Sequence, residues 1–346
     1  MKAWNLTVAL LVLGASFVCV AESPACRFRF RRHVSPCYSP PAPPKHPAAR
    51  DTLDLRWKFQ GNKPFFVEIT TKTDQTMKVA GMDVTQKQRQ TFFLRVTPEK
   101  KDGQGNWILG MKFVGIRMSI DLGGNKIDYD STLPQPQNPL TDFFKTLNTL
   151  KFKVILAPTM NVSRMEEQTQ FIRKIGRKNP QMEPLLQSIL SDNAFKKMFE
   201  PIFSPIPQRQ VGKGESWSRV SSLDLGPIGI YKTTSKYTYE GKQETLARIK
   251  VESRVSYSPP KDSGNLTFKI MGSSTLTTPQ KPMPGVIFFD PFLGRVVHAS
   301  LSMKLEGTLN IDIGGLITNA KLSQFQTTTV TVTDTNPVLE IRDKQR

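Results

Sequence analysis

The chain of 346 residues has three cysteines and three histidines, and this scarcity removes more chemistry than any motif supplies. Two of the histidines, His33 and His46, fall in a proline-rich stretch near the N-terminus, which leaves His298 as the one imidazole in the folded part. It lies in VVHAS, a strand-like pattern, where a histidine facing solvent or a neighbouring strand is the ordinary case. No cysteine occurs after Cys37, so a thiolate nucleophile and a cysteine-ligated zinc are excluded from the rest of the chain. The sequence also lacks a GxSxG elbow, an HExxH helix and a GxxxxGK[ST] phosphate loop. Acidic residues are few: 29 Asp and Glu against 48 Lys and Arg, a net charge of +19. Such a surface favours acidic partners: nucleic acid, anionic lipid or an anionic envelope polymer.

Long apolar runs are missing too, with one exception at the start. Lys2 precedes a charge-free stretch, apolar from Leu6 to Val20, ending at Ala21 before Glu22. Residues 1–21 read as a secretory signal peptide cleaved after Ala21; the competing reading is an uncleaved anchor, since about 20 apolar residues can span a bilayer. Export makes nucleic acid the least suitable of the acidic partners. Residues 22–51 form a basic tail or linker, whose PCYSPPAPPKHP segment prefers extended polyproline II. Within it Phe28 and Phe30 alternate with Arg27, Arg29 and Arg31, followed by Arg32, a pattern that would put rings on one side and guanidiniums on the other. These four arginines are the candidate anion-binding residues. Cys26 and Cys37 either close a small loop by a disulfide or remain free thiols.

The globular part is expected over 52–335 as a single β-rich domain. Its first β-half (52–134) and second β-half (211–335) flank a helical insertion (135–210), and 336–346 read as a frayed polar tail. The fold class expected is α+β: a mostly antiparallel, strongly curved sheet or partly closed barrel in two related halves. Aromatic and β-branched runs such as PFFVEITTKT and WILGMKFVGIRMSIDL support the strands. In the insertion Leu140, Phe143, Phe144 and Leu147 share a helical face, as do Ala194, Phe195, Met198 and Phe199. A strand pair, LKFKVILAP and MNVSRM, separates the first helix from the later ones, and Ser163 with Glu166 suggests a capping box for the next. Phe143, Phe144, Leu147, Phe195, Met198 and Phe199 are the candidate lining of an apolar ligand pocket; ordinary core is the alternative.

The halves carry a repeat. MKFVGIRMSIDLGG at 111–124 matches MKLEGTLNIDIGG at 303–315 with one residue more. In the second copy the apolar positions keep one alternating phase. In the first the phase changes after Phe113, so a β-bulge is expected near Val114–Gly115. Gly123-Gly124 and Gly314-Gly315 should be equivalent tight turns. Asp121, Asp128 and Asp130 gather at the first of them, where they could serve acid–base chemistry or a weak calcium site, or simply be solvated turn residues. Asn161 and Asn265 fit the glycosylation pattern, which matters only in a eukaryotic secretory pathway.

Several stretches resemble an exported β-rich family of unknown function common in planctomycete bacteria: LRWKF at 55–59, QTMKVAGMDVTQ at 75–86, IDLGGNKIDYDS at 120–131, NPQMEPLLQSIL at 179–190, LGPIGIYKTTSKYTYEG at 225–241 and KLEGTLNIDIGG at 304–315. The resemblance covers about 53–334. It implies a bacterial envelope and brings no activity, cofactor or catalytic residue. The function expected is therefore a non-catalytic envelope protein binding an apolar or anionic ligand and needing no cofactor. The alternative is a carboxylate-dependent enzyme of the periplasm or the cell exterior.

Overall fold

The computed structural model describes residues 52–79, 81–137, 139–167, 196, 199–200, 202–261, 269–280 and 283–345. The signal segment, the arginine-rich arm, Cys26 and Cys37, the residues Phe195 and Met198, Asn265 and the expected helices between 168 and 195 lie outside them.

The strands are β1 (Thr52–Asp54), β2 (Phe65–Val79), β3 (Met82–Lys101), β4 (Trp107–Leu122), β5 (Asn125–Asp130), β6 (Lys151–Leu156), β7 (Val162–Glu166), β8 (Gln210–Gly212), β9 (Ser216–Asp224), β10 (Ile230–Gln243), β11 (Leu246–Ser258), β12 (Lys269–Ile270), β13 (Thr275–Thr277), β14 (Pro284–Asp290), β15 (Arg295–Ile313) and β16 (Leu316–Thr333). Fourteen of them join one antiparallel sheet along the path β7-β6-β4-β3-β2-β16-β15-β13-β11-β10-β9. β14 pairs with both β11 and β15, β12 with β15 and β5 with β4, while β1 and β8 pair apart. The last long strand is thus inserted beside the first, and the two halves meet at the β2–β16 ladder.

The sheet curls around a main core, and a second, smaller buried cluster with Leu223, Leu305 and Leu309 lies apart from it. Phe152 and Val154 near one edge belong to the same buried cluster as Tyr237, Ile249 and Phe289 near the other. The edge strands share no ladder among the described residues. Arg219 of β9 instead donates from Nη1 to Oδ1 of Asn161, between β6 and β7, at 3.3 Å. Residues 199–206 fill the space inside, where Phe199, Ile202, Phe203 and Ile206 are buried. Trp57 Nε1 donates to the Phe203 carbonyl at 3.1 Å and Trp217 Nε1 to the Pro205 carbonyl at 2.8 Å. Both indoles thereby satisfy backbone groups of a non-strand segment that the sheet cannot reach. The proline-spaced IFSPIP run is a core plug.

Two features read from the repeat are present. β3 and β4 run in register from Gln86↔Leu122 to Phe93↔Gly115, then shift, so that Leu94 faces Phe113 and Val114 is the extra residue. The bulge restores the phase: Leu109, Met111 and Phe113 before it and Ile116, Met118 and Ile120 after it face the same side as Val96, Leu94, Phe92, Gln90 and Gln88. The matching stretch of β15 pairs with β16 without a break. Gly123 and Gly124 have φ of 56° and 91°, Gly314 and Gly315 of 66° and 91°, the two left-handed positions of a type I′ hairpin. Asp121 Oδ1 accepts from Gly124 N at 2.9 Å, and Asp312 Oδ1 from Gly315 N at 2.7 Å.

The α+β expectation with a helical insertion is corrected to a mostly antiparallel β fold. Among the described residues of 135–210, helix is found in α1 (Pro139–Asn148) and at residues 196, 199–200 and 202–203, with the strand pair β6–β7 between them. The Ser163–Glu166 capping box does not form. Both residues lie in β7, and the Ser163 hydroxyl donates to the Ile155 carbonyl across the pair at 3.3 Å. The expected frayed tail is instead the helix α2 (Pro337–Gln345). Asn336 caps it, its Oδ1 accepting from Val338 N at 3.1 Å, with Pro337 in the first turn. Val338 is buried over Gly115, on the outer side of the bulge.

Candidate functional site

The nominated apolar residues that are described lie in closed packing. Phe144 stacks on Tyr129 with centroids 4.8 Å apart, and Phe199 packs tilted against Phe152 at 5.2 Å. Both belong with Leu147 to the main core cluster. Phe143 is in α1, and its side chain is not described.

The cleft in the described residues forms elsewhere, at the sheet end where β2 and β15 begin and β3 and β16 finish. Trp57, Phe59, Phe65, Pro98 and Leu293 line it with apolar atoms and Lys58, Lys63, Arg295 and Asp334 with charges; it is open to solvent, with a cavity of about 50 Å³. The aromatic floor is continuous: Trp57 and Phe59 stack at 5.3 Å, Phe59 and Phe65 at 6.3 Å, and Trp107 meets Phe59 edge-on at 5.3 Å. Arg295 grips Asp334 with two bonds of 2.8 Å, from Nη1 to Oδ1 and Nη2 to Oδ2. That guanidinium, with Lys63 adding to it, holds the Asp334 carboxyl below the usual carboxylate range. Lys58 Nζ donates to the Pro291 carbonyl at 2.8 Å, leaving two of its three donors for other partners. Three cations therefore surround one carboxylate beside an aromatic surface. Residues 55–64, which include LRWKF, are irregular, and the signal for this is the Gly61-Asn62-Lys63-Pro64 turn.

A second polar group lies inside. Gln75, Gln86 and Gln324 form one cross-strand row, Thr73, Gln88 and Gln326 the next, and Thr71, Gln90 and Thr328 a third. All nine are buried. Amides bond along the strands, Gln86 Nε2 to Gln88 Oε1 at 3.1 Å and Gln88 Nε2 to Gln90 Oε1 at 3.0 Å, while the Oε1 atoms of Gln75 and Gln86 have no partner.

The carboxylates at the first Gly-Gly turn are engaged structurally. Asp121 caps its turn, Asp128 pairs with Lys126 at 3.1 Å and Asp130 with Arg117 at 2.8 Å. The Ser119 hydroxyl and Lys126 pull the Asp128 carboxyl down, which makes it a poor proton donor near neutral pH. Among the described residues no three His, Cys, Asp or Glu side chains gather as a metal cluster. His298 pairs across strands with Thr331, Nδ1 to Oγ1 at 3.4 Å.

A single curved antiparallel sheet with a cleft of cationic and aromatic lining at one end defines a β-rich protein. The chain belongs to DUF6263, a family of unknown function, whose model matches residues 104–314. No curated protein matches it. Among solved structures, lipovitellin, described for its lipid–protein interactions, aligns at 13% identity over 78% of this chain and 25% of that one, with a TM-score of 0.40. This chain thus spans a quarter of lipovitellin's. DynF, from the dynemicin pathway of Micromonospora chersina, aligns at 8% identity over 81% and 85% of the two chains, with a TM-score of 0.19. OccK5 (OpdH) of Pseudomonas aeruginosa aligns at 7% identity over 79% and 99%, also with a TM-score of 0.19. These likenesses are too distant to carry a conclusion about function. No described helix is long and apolar enough to cross a membrane.

Proposed function

We propose that the protein is an exported, non-catalytic binding protein of the cell envelope that holds an anionic ligand with an apolar portion in the cleft over Trp57, Phe59 and Phe65. The observation that carries this reading is the composition of the cleft: an aromatic floor beside Lys58, Lys63 and Arg295, with Asp334 the one opposing charge. Trp57 and Phe65 are already buried, so an apolar portion gains by covering Phe59 and the exposed Leu293, and an anionic head gains from Lys63 and from Lys58, whose Nζ is already held by the Pro291 carbonyl. The signal-like residues 1–21 support export, and the arm with Arg27, Arg29, Arg31 and Arg32 serves as a tether to anionic lipid or envelope polymer.

The test is a fluorescence titration of the chain lacking residues 1–21 with a dansylated fatty acid. Saturable binding is expected, weakened about tenfold or more by Lys58→Glu with Lys63→Glu and reduced by salt. Unchanged affinity in the double variant would remove the cleft as the site. Mass analysis of the protein from its own host should find Glu22 first; an intact Met1 would remove cleavage after Ala21.

A further inference from the structure

β11, β10 and β9 end the path of the large sheet, and the alternation of their side chains gives them two unlike faces. The inner face packs Trp217, Tyr237 and Val251 into the main core cluster and Leu223 and Val255 into the smaller one. The outer face is built of four cross-strand rows: Ser222–Lys232–Ser256, Val220–Thr234–Arg254, Ser218–Lys236–Glu252 and Ser216–Thr238–Lys250.

Each row holds one cation. Successive rows are two residues apart, about 7 Å, so the four cations form a line of roughly 20 Å along β10. One carboxylate, Glu252, stands among them, four charges against one. Lys250 Nζ already donates to it at 3.0 Å. Lys232, Lys236 and Arg254 are exposed, and among the described residues no carboxylate forms an ion pair with any of them. The neighbouring β14 sets Pro284 and Val286 beside Glu252 and Lys250 and adds no charge. The line is bounded at both ends. Asp224 stands opposite Ile230 and its Oδ1 accepts from Gly226 N at 2.8 Å, while Arg248 pairs with Glu240. Several cations elsewhere on the sheet do have a carboxylate in reach, Arg117 with Asp130, Lys153 with Glu99 and Lys304 with Glu306.

A spacing of about 7 Å lies within the Debye length of about 8 Å at physiological salt. The cations therefore repel one another when bare and act together on a chain of anions laid along them. Strung out in a line, they cannot converge on one small anion.

We infer that this face binds a linear acidic polysaccharide lying along β10, its carboxylates meeting Lys232, Arg254, Lys236 and Lys250 in turn and its hydroxyls meeting Ser218, Ser222, Thr234 and Ser256. The twelve outward positions carry no aromatic ring, whereas proteins that hold single-stranded nucleic acid without reading its sequence stack the bases on rings. They do carry hydroxyls in every row, which donate to and accept from the hydroxyls of a sugar. No residue of the cleft belongs to this face, so the two sites are separate.

The experiment is a calorimetric titration of the chain lacking residues 1–21 with polygalacturonate at low and high salt. Saturable binding that weakens with salt is expected. Lys232→Ser with Arg254→Thr removes two exposed cations that have no carboxylate partner. It should weaken binding about tenfold or more and leave both the thermal transition and the fatty-acid titration of the cleft unchanged. The same pair of changes should cause the same loss in a chain whose Arg27, Arg29, Arg31 and Arg32 are all replaced by serine, which separates the face from the arm. Absence of saturable binding by the parent, or equal binding by parent and double variant, would overturn the inference. So would galacturonate monomer that binds as tightly as the polymer, which would make the site one for an isolated anion. Tighter binding of a single-stranded oligonucleotide of matched charge would overturn it as well, since nucleic acid would then be the occupant.

Discussion

Replacing Gly115 by alanine tests the bulge and the C-terminal helix together. An ideal Cβ there would lie 2.8 Å from Val338 Cγ2 and 3.0 Å from Phe93 Cδ2, whereas carbon pairs prefer about 3.5–4.0 Å. Either α2 lifts or the Phe93 ring turns. Overpacking of this kind costs about 1–3 kcal/mol. Lower chain entropy in the unfolded state returns about 0.4–1 kcal/mol, so Gly115→Ala should destabilise by about 1–2 kcal/mol. Val338→Ala alone should cost about 1–2 kcal/mol, as two buried methyl groups are removed. The double variant should cost clearly less than the two single losses combined, because the truncated side chain makes room for the new methyl. Urea titrations followed by circular dichroism on the chain lacking residues 1–21, with unchanged slopes, give the three values. Additivity within about 0.5 kcal/mol would show that Val338 does not sit over Gly115 in solution, and the account of α2 as a cover for the bulge would fall.

Two further outcomes follow from polar groups. The folded-state pKa of Asp334 is lowered by Arg295, so its stabilising share is present above the unfolded value of about 3.9 and is lost as pH falls through the folded value. Asp334→Asn should therefore be less stable than the parent at pH 7, by under about 1 kcal/mol because the carboxylate is exposed, and the two unfolding curves should converge in acid. Gln75→Leu removes a buried carbonyl oxygen that has no partner and should raise stability by up to about 1–2 kcal/mol; a fall in the thermal midpoint would mean that the oxygen is bonded in solution.

The parts legible in the sequence were those where apolar residues alternate. The phase change after Phe113 located the bulge, and the paired glycines located both turns. The Gln and Thr rows escaped because β2 and β3 are polar on both faces over TTKTDQT and TQKQRQT, and β16 over SQFQTTT puts its one apolar residue, Phe325, on the exposed face. Hydrophobicity alone gives no inside there. The distinction is between charged and neutral polar residues: Lys72, Asp74, Lys87 and Arg89 are exposed, while the amides and hydroxyls between them are buried, as desolvation of ions demands. An Asn-Pro pair opens α2 at Asn336-Pro337, where the polar composition of the last residues hid a helix whose buried apolar residue, among those described, is Val338. The cleft was out of reach because its walls come from four distant segments that carry no shared motif.

The ladder between β2 and β16 sets the order in which the molecule can be completed. Fourteen residue pairs, from Phe66↔Thr333 to Val79↔Ala320, tie the first long strand to the last. During synthesis β2 and β3 can form their hairpin early, but the outer edge of β2 has no partner until Thr333 has emerged. For most of the chain's elongation that edge is an open template for pairing with other chains, and the contacts that close it span nearly the whole globular sequence, which makes closure slow. The nascent protein therefore presents one long open β edge, and the buried rows that β2 shares with β16 stay incomplete, until the last strand has been made.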